Sequence, residues 1–290
     1  MICYSDLLAV AELLGKLGPR IGVGAIHAIL LLGAAAAWFP FLWMVLASLK
    51  SNTEIFRYPP TLWPQELQLE NLTTLFEEKP FASWNFNSIW IAIVGTLLTL
   101  FFSSLAGFGF GKYKFKGRTV LFAVLIGSLI IPFQLILTPL FVVIGKLGWI
   151  DNYLALFVPF VAPAFGIFLM KQFMARIPDE LLDAARIDGG SEFLIYRIII
   201  VPMVRPGLAA LAIFTFLNFW NSFLWPLVVL RSDDHYTLPV GMATFYAVLI
   251  RVEYGAIMLG STLISLPIIV LFLLMQRHFI SGLTLGSVRE

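Results

Sequence analysis

Charge is what this sequence lacks most. Only 12% of its 290 residues are Asp, Glu, Lys or Arg, against about 25% in an ordinary soluble domain. Hydrophobic residues make up 60% of the chain, and the mean hydropathy is +0.92. A soluble globule of this size must turn a large share of its residues to water. A soluble enzyme and a disordered chain are therefore excluded. Cysteine is nearly missing too. Cys3 stands alone, so no intrachain disulfide can form and a secreted disulfide scaffold is ruled out. With no Cys/His cluster near it, no zinc or iron–sulfur site is expected. The histidines, His27, His235 and His278, are far apart in the chain. The net charge is only +2, with no basic stripe, so no nucleic-acid partner is expected. Strict apolar–polar alternation is also missing, which speaks against a membrane β-barrel.

What is present is length of apolar run. Residues 21–48, 85–111, 119–143, 153–170, 206–230 and 255–275 form six such runs. Each is near the roughly 20 residues that a helix needs to cross a bilayer core. The reading is an all-α polytopic membrane protein with six transmembrane helices. One membrane domain, 21–276, lies between an N-terminal arm, 1–20, and a tail, 277–290. Prolines such as Pro40, Pro132, Pro139, Pro163 and Pro226 fall in or beside these runs and should kink helices. The first run has a rival reading as a secretory signal, because Lys16 and Arg20 precede it and Ala34–Ala37 resembles a cleavage site. Trp38 to Ala47 continues it well past that point, whereas a signal's apolar core is about 7–15 residues.

Lys and Arg set the orientation. The arm, the 112–118 hairpin, the 171–205 segment and the tail carry 13 of the 19 basic residues; the 49–84, 144–152 and 231–254 segments carry 6. Both termini are thus expected in the cytoplasm. The 49–84 stretch, with Glu54, Glu66, Glu70, Glu77 and Glu78, becomes an outer loop with one short helix expected near 69–78.

The spans lack something more telling. Their middles hold no Asp, Glu, Lys or Arg, and His27 lies near one end of its run. Proton-coupled carriers place such groups at membrane depth. An intramembrane protease needs a Ser/His pair, paired aspartates or a zinc motif, and none is visible. No G-x-x-x-x-G-K-[ST] phosphate loop occurs either. The chain is expected to bind no cofactor and to draw its energy from another chain. A sodium-coupled carrier working through carbonyls and hydroxyls stays open as an alternative, though the two halves show no matching broken helices. A structural membrane scaffold is a further alternative.

The 171–205 segment carries five basic and five acidic residues. Pro178 suits a helix start, and Asp179 and Glu180 favour its N-terminal dipole. Gly189 and Gly190 end that helix, Ser191 can cap a second one, and Pro202 breaks the chain before the fifth run. A short amphipathic helix, a glycine elbow and a second helix make either a docking knob or a plain surface loop.

Here the residues are similar to a known family. Asp183, Ala184, Ala185, three residues to Gly189, then Val201 and Pro202 resemble the EAA loop of bacterial binding-protein-dependent ABC importer permeases. Asp183 stands where that family has Glu, and Val201 where it usually has Leu. The Phe219–Leu227 stretch, Thr237–Gly241 and the tail from Gln276 to Phe279 with Gly282, Leu283 and Thr284 look like the sugar branch, in particular the six-span maltose-type second permease. The resemblance implies a bacterial plasma (inner) membrane location and several partners. These are a second related permease, two copies of a cytosolic ATPase that bind ATP and Mg, and an extracytoplasmic solute-binding protein. It also implies that the 178–190 helix, inside a 177–202 coupling loop, enters a cleft on the ATPase. Glu180, Leu181, Leu182, Asp183, Ala184, Ala185, Asp188 and Gly189 are the residues it assigns to that contact.

A sugar-like solute needs hydrogen-bonding groups and flat apolar faces in a pocket. Asn218, Asn221, Ser222 and Trp225 fall at i, i+3, i+4 and i+7 of the fifth run, on one face of a continuous helix. Gln134 and Thr138 are paired at i, i+4 in the third, and Ser104 sits beside Ser103 in the second. These groups line a solute path or hydrogen-bond between helices; both readings stay open here.

Overall fold

In the computed structural model the described residues are 19–77, 79–245 and 252–284, and they are helical with no strand among them. Cys3, Lys16, Glu78, the 246–251 stretch and the last six residues of the tail lie outside the described residues. The chain divides into two compact units, one formed by the residues up to Thr74 with Glu253–Thr262, the other by Leu75–Val252 with the residues from Leu263.

In the first unit the first apolar run is a single helix, α1 (Pro19–Ala47), with Pro40 inside it. It is apolar all round, and Leu31, Leu32 and Trp38 stay exposed, as suits a helix solvated by lipid. The chain then turns into α2 (Asn52–Ile55), whose first turn is capped by the Ser51 hydroxyl accepting the Glu54 N–H at 3.3 Å. Lys50 is buried at this corner. Its ammonium donates to the Thr61 carbonyl and lies 4.9 Å from the centre of the Trp43 ring. The short helix expected in the outer loop is α3 (Glu70–Phe76). Near its start Asn71 donates to the carbonyls of Ser48 and Lys50, at 2.8 and 3.1 Å, and so folds the loop back on the end of α1.

The second unit is built around α4 (Phe81–Lys112), which extends the second apolar run by a turn at its N-terminal end. Next come α5 (Arg118–Ser128) and α6 (Phe133–Lys146), and then α7 (Leu154–Phe157) with a 3₁₀ turn, Val158–Phe160. These lead to α8 (Ala164–Ala175), α9 (Asp179–Ile187) and α10 (Glu192–Ile195), which runs on through a π turn at Tyr196–Ile200 into α11 (Val201–Met203). The remainder is α12 (Arg205–Trp220), α13 (Leu224–Val229), α14 (Leu238–Thr244) and α15 (Tyr254–Thr284), whose first turns belong to the first unit.

The long α4 packs against both α8 and α12. Close approach is possible because small residues face each other at the α4–α8 crossing. A Cβ on Gly107 would stand 2.6 Å from that of Met170, and one on Gly166 would stand 2.6 Å from the Ser103 hydroxyl. Small residues serve the same purpose at helix crossings in lipid generally.

Prolines bend the runs more sharply than kinks. Among the described residues, Val23–Ala47, Phe81–Lys112 and Tyr254–Leu273 are each long and apolar enough to cross a membrane as single helices. The expected third span, 119–143, is instead two helices meeting at 102°. Ile131, placed before Pro132, is pushed out of helical geometry, and Pro132 stands in extended conformation before α6. The fourth bends by 42° ahead of α8, where Pro163 plays the same part. The fifth run departs furthest from expectation. Its helix follows an 80° bend at Val204 and stops at Trp220 rather than continuing to 230. Pro226 has no N–H to give the Ser222 carbonyl, and its ring collides with that carbonyl in a continuous helix. The chain therefore opens at 221–223 and restarts as α13.

Candidate functional site

The 177–200 segment forms the helix, elbow and second helix that its pattern predicts, a compact knob whose first helix starts one residue later. Pro178 is the cap and α9 begins at Asp179. Three interactions fix it to the helices beneath. Lys112, at the end of α4 and almost wholly buried, donates to the Ile177 carbonyl and to the Asp179 carboxylate, the latter at 2.7 Å. The Lys112 ammonium holds the Asp179 carboxyl below its ordinary pKa. Leu182 points inward, 1% exposed, into an apolar cluster with Phe108, Met174, Ile177, Ile195 and Tyr196. The two helices of the knob are laced by Arg186, which donates to Asp183 at 2.8 Å and to both oxygens of Glu192, at 2.8 and 3.3 Å. Glu192 also accepts the Tyr113 hydroxyl. Burial, then the Glu192 carboxylate, pushes the Tyr113 phenol up to about 12.

The elbow is a matter of backbone geometry. Gly189 has φ of +82°, a region costly for any residue with a Cβ, and open space around it. Gly190 is limited by contact instead, since a Cβ there would stand 2.8 Å from the Ala185 carbonyl oxygen. The carbonyls at the end of α9 are satisfied by Asp188, Gly189 and Gly190 N–H groups at 2.9–3.0 Å. Ser191 caps α10 by accepting the Leu194 N–H at 3.3 Å.

Of the residues assigned to a partner contact, Glu180, Leu181, Asp183, Ala184, Asp188 and Gly189 are exposed, and Ala185 is half-buried. Leu182 is the correction. It belongs to the chain's own core, because the apolar stripe of α9 is used to seat the helix. Ile187, 86% exposed, is the most exposed of the apolar side chains this segment presents, which also include Leu181, Phe193, Leu194 and Ile198.

The second feature is a half-open cavity of about 890 Å³ in the second unit, between α6, the 3₁₀ turn, α12 and α13. Gln134, Asn218, Asn221, Ser222 and Trp225 all line it, although the single helical face that suggested the last four does not exist. The break at 221–223 turns them toward one space. Their polar atoms are only partly committed. Asn218 and Asn221 each donate one amide hydrogen to the carbonyl a turn back, Phe214 and Leu217, at 2.9 Å. The other hydrogen and Oδ1 of each amide are left for the cavity. Trp225 has spent its indole N–H on the Ala155 carbonyl at 2.8 Å, so it offers the cavity only a flat face. Phe133, Phe160, Phe214 and Phe219 complete an aromatic wall, with Thr215 adding a hydroxyl. Among the described residues no ionisable side chain lines the space. Thr138 is exposed away from it, and Ser104 is elsewhere, hydrogen-bonded to the Tyr196 hydroxyl at 2.6 Å inside the core beneath the knob. Ser104 therefore joins helices and does not touch the cavity.

A further tie joins the 144–152 and 231–236 segments. Asp151, at φ +58°, accepts the Arg231 and Ser232 N–H groups at 2.8 and 3.1 Å, as well as the Ser232 hydroxyl, and lies 3.1 Å from His235. Burial pushes the Asp151 carboxyl up, but these donors outweigh it and hold the group well below the usual range. Among the described residues no group of His, Cys, Asp and Glu could hold a metal ion.

Residues 102–284, which include the knob and the cavity, match the family described as binding-protein-dependent transport system inner membrane component. The chain belongs to that family. It is a multi-pass permease subunit and is itself non-catalytic. The arabinooligosaccharides transport system permease protein AraQ of Halalkalibacterium halodurans is 42% identical to it, over 88% of this chain and 92% of that protein. The lactose transport system permease protein LacG of Rhizobium radiobacter is 37% identical, over 91% and 95%. Among solved structures, a chain from a bacterial ABC transporter involved in the import of the acidic polysaccharide alginate has the same fold. Its TM-score is 0.77 at 22% identity, covering 96% of this chain and 99% of that one.

Proposed function

We propose that this permease is the six-span second transmembrane subunit of an ATP-driven importer for a neutral oligosaccharide in the bacterial inner membrane. In this reading α5 with α6 and α7 with α8 each count as one span, α12 with α13 makes the fifth, and both termini face the cytoplasm. The 1–20 arm and 277–290 tail flank a 21–276 transmembrane domain whose 49–84 loop faces outward. A second, related permease completes the path. An extracytoplasmic binding protein delivers the solute, and two copies of a cytosolic ATPase bind ATP and Mg. The exposed face of α9, with Glu180, Leu181, Asp183 and Ala184, sits in a cleft of one ATPase. Closure of the ATPase pair moves that helix, and with it α4 and α8, as a rigid body.

The observation that carries the choice of solute is the cavity wall. Sugar rings offer flat C–H faces and a rim of hydroxyls. Aromatic faces suit the first, and neutral amides and hydroxyls that both donate and accept suit the second. A phosphate or carboxylate solute would leave its charge unpaired against such a wall, at a cost far above that of a neutral group. The names of the AraQ and LacG relatives support the same reading.

The test is uptake into proteoliposomes holding both permeases and the ATPase, with the binding protein outside. Labelled arabinooligosaccharide should enter only with ATP, and should do so undiminished by an uncoupler. Glycerol 3-phosphate should not compete. Uptake that collapses with the uncoupler at constant ATP, or uptake of glycerol 3-phosphate in place of the sugar, overturns the proposal.

A further inference from the structure

Gly95 lies on α4, does not line the cavity, and touches one residue that does. A methyl group at Gly95 would stand 2.6 Å from both Cε2 and Cζ of Phe219, and 2.9 Å from its Cδ2. The Phe219 ring edge is thus laid flush on the α4 backbone. Carbon atoms at rest are about 3.5–4.0 Å apart, so a methyl group there forces the ring back by roughly 1 Å. Its direction of retreat is set by what surrounds it. Phe219 packs against the cluster of Ile91, Ala155, Leu156 and Trp225, which leaves it no slack on the protein side. It also lines the cavity, the open space into which it can move. The α4 helix itself has no objection to a larger residue, since Gly95 carries no positive φ and alanine is the better helix former.

We infer that Gly95 is a positioning residue that sets how long an oligosaccharide the cavity accepts, by letting the Phe219 ring lie back out of the path. This rests on the reading of the cavity as the solute path. The logic is that of a stop. With glycine at 95 the ring occupies the notch and the cavity keeps its full depth. With alanine the ring stands proud of the wall, and the chain of sugar that reaches it meets a step. A misfit of about one methyl group in an apolar pocket is worth roughly tenfold in discrimination. The penalty falls on long solutes and spares short ones.

The assembled transporter in proteoliposomes is given a ladder of neutral arabinooligosaccharides, from arabinobiose to arabinopentaose. Gly95→Ala should lower uptake of the longest sugar that the unaltered protein carries by about tenfold relative to arabinobiose, with arabinobiose uptake kept. Phe219→Leu in the same chain should restore the ratio, because the smaller side chain no longer needs the notch. A purely structural defect would lower all lengths alike and would not be rescued. The inference is overturned if Gly95→Ala leaves the ratio unchanged, or if it lowers every sugar equally and Phe219→Leu does not repair it. Phe219→Leu and Phe133→Leu alone separate the two levels of the argument. If they move the length profile and Gly95→Ala does not, the stop is wrong and the cavity reading stands. If none of the three moves it, the cavity reading falls as well.

Discussion

Replacing Gly189 should uncouple the permease from its ATPase in a graded way. The position sits at φ +82° with open space around it, so a new side chain meets no neighbour and any effect is backbone strain. A Cβ in the left-handed region costs roughly 1–2 kcal/mol, least for Asn and most for β-branched residues. What yields is the weakest part nearby. The base of α9 is held by buried Leu182 and by the Lys112–Asp179 pair. Removing a buried leucine from its core costs about 2–5 kcal/mol, more than the strain, so the base stays seated. The last turn is held by the Asp188, Gly189 and Gly190 N–H groups, each worth about 1 kcal/mol net, and by the exposed Arg186 pairs with Asp183 and Glu192, which add little in water. Strain of that size frays this turn and moves Ala184, Ile187 and Asp188 off their places, without expelling the helix from the protein. A cost of about 1 kcal/mol lowers the ratio of docking-competent to frayed helix roughly fivefold and one of about 2 kcal/mol roughly thirtyfold. The expected order of solute-stimulated ATP hydrolysis in the assembled transporter is therefore Gly, then Asn, then Ala, then Val. Asn should keep most of the activity and Val the least, with the three variants and the native protein in the membrane at equal levels. ATPase recovered by pull-down should follow the same order. If Asn and Val behave alike, or if Gly189→Val hydrolyses and transports normally, the left-handed elbow is not what presents the helix.

Leu182 and Leu181 separate core from contact: Leu182→Asp buries an unpaired charge and should abolish stable expression, whereas Leu181→Asp should insert normally and lose ATPase in the pull-down. A pull-down that is normal for Leu181→Asp refutes the assignment of that face. Asn221→Ala should raise the KM for the sugar about fivefold, the worth of roughly one neutral hydrogen bond, and leave ATPase recovery unchanged; unchanged kinetics would make the amide a helix cap only. Because Lys112 lowers the Asp179 pKa, the stability this pair lends is whole above the ordinary carboxylate pKa and is lost as the pH falls through the lowered value. Asp179→Asn should flatten that part of the acid limb of a thermal-midpoint profile, and an unaltered limb counts against the pair. A reporter active only in the periplasm should give no signal fused after residue 290 and a signal inserted near Glu66, the reverse of which sinks the proposed topology.

How far the fold and the site could be read depends on which physical variable each feature turns on. Apolar length is written into the chain, so α1, α4 and α15 were legible as spans. Cap and elbow chemistry is local as well, which is why Ser191 and Gly189 are legible in the sequence alone. Bend angle is not local. Pro132 and Pro226 announce that a helix cannot continue, but whether the chain kinks by a few degrees or turns by 102° depends on what packs in the gap. The assumption of one continuous helix through 206–230 failed at Pro226 for that reason, yet the residues it selected still converge, because the break redirects them to one cavity instead of spreading them. Leu182 shows the opposite limit. An apolar residue on an amphipathic helix must be covered by something, and the sequence does not say whether the cover is a neighbouring protein or the chain's own core. Phe108 on α4, Met174 at the end of α8 and Tyr196 beyond the elbow supply it here. The same holds for Ser104, whose hydroxyl needs a partner in a dry interior and finds Tyr196 rather than a solute. A polar or apolar residue type states a demand. Only the packing of distant segments decides who meets it, and that decision separates the residues that build this permease from those left free to work.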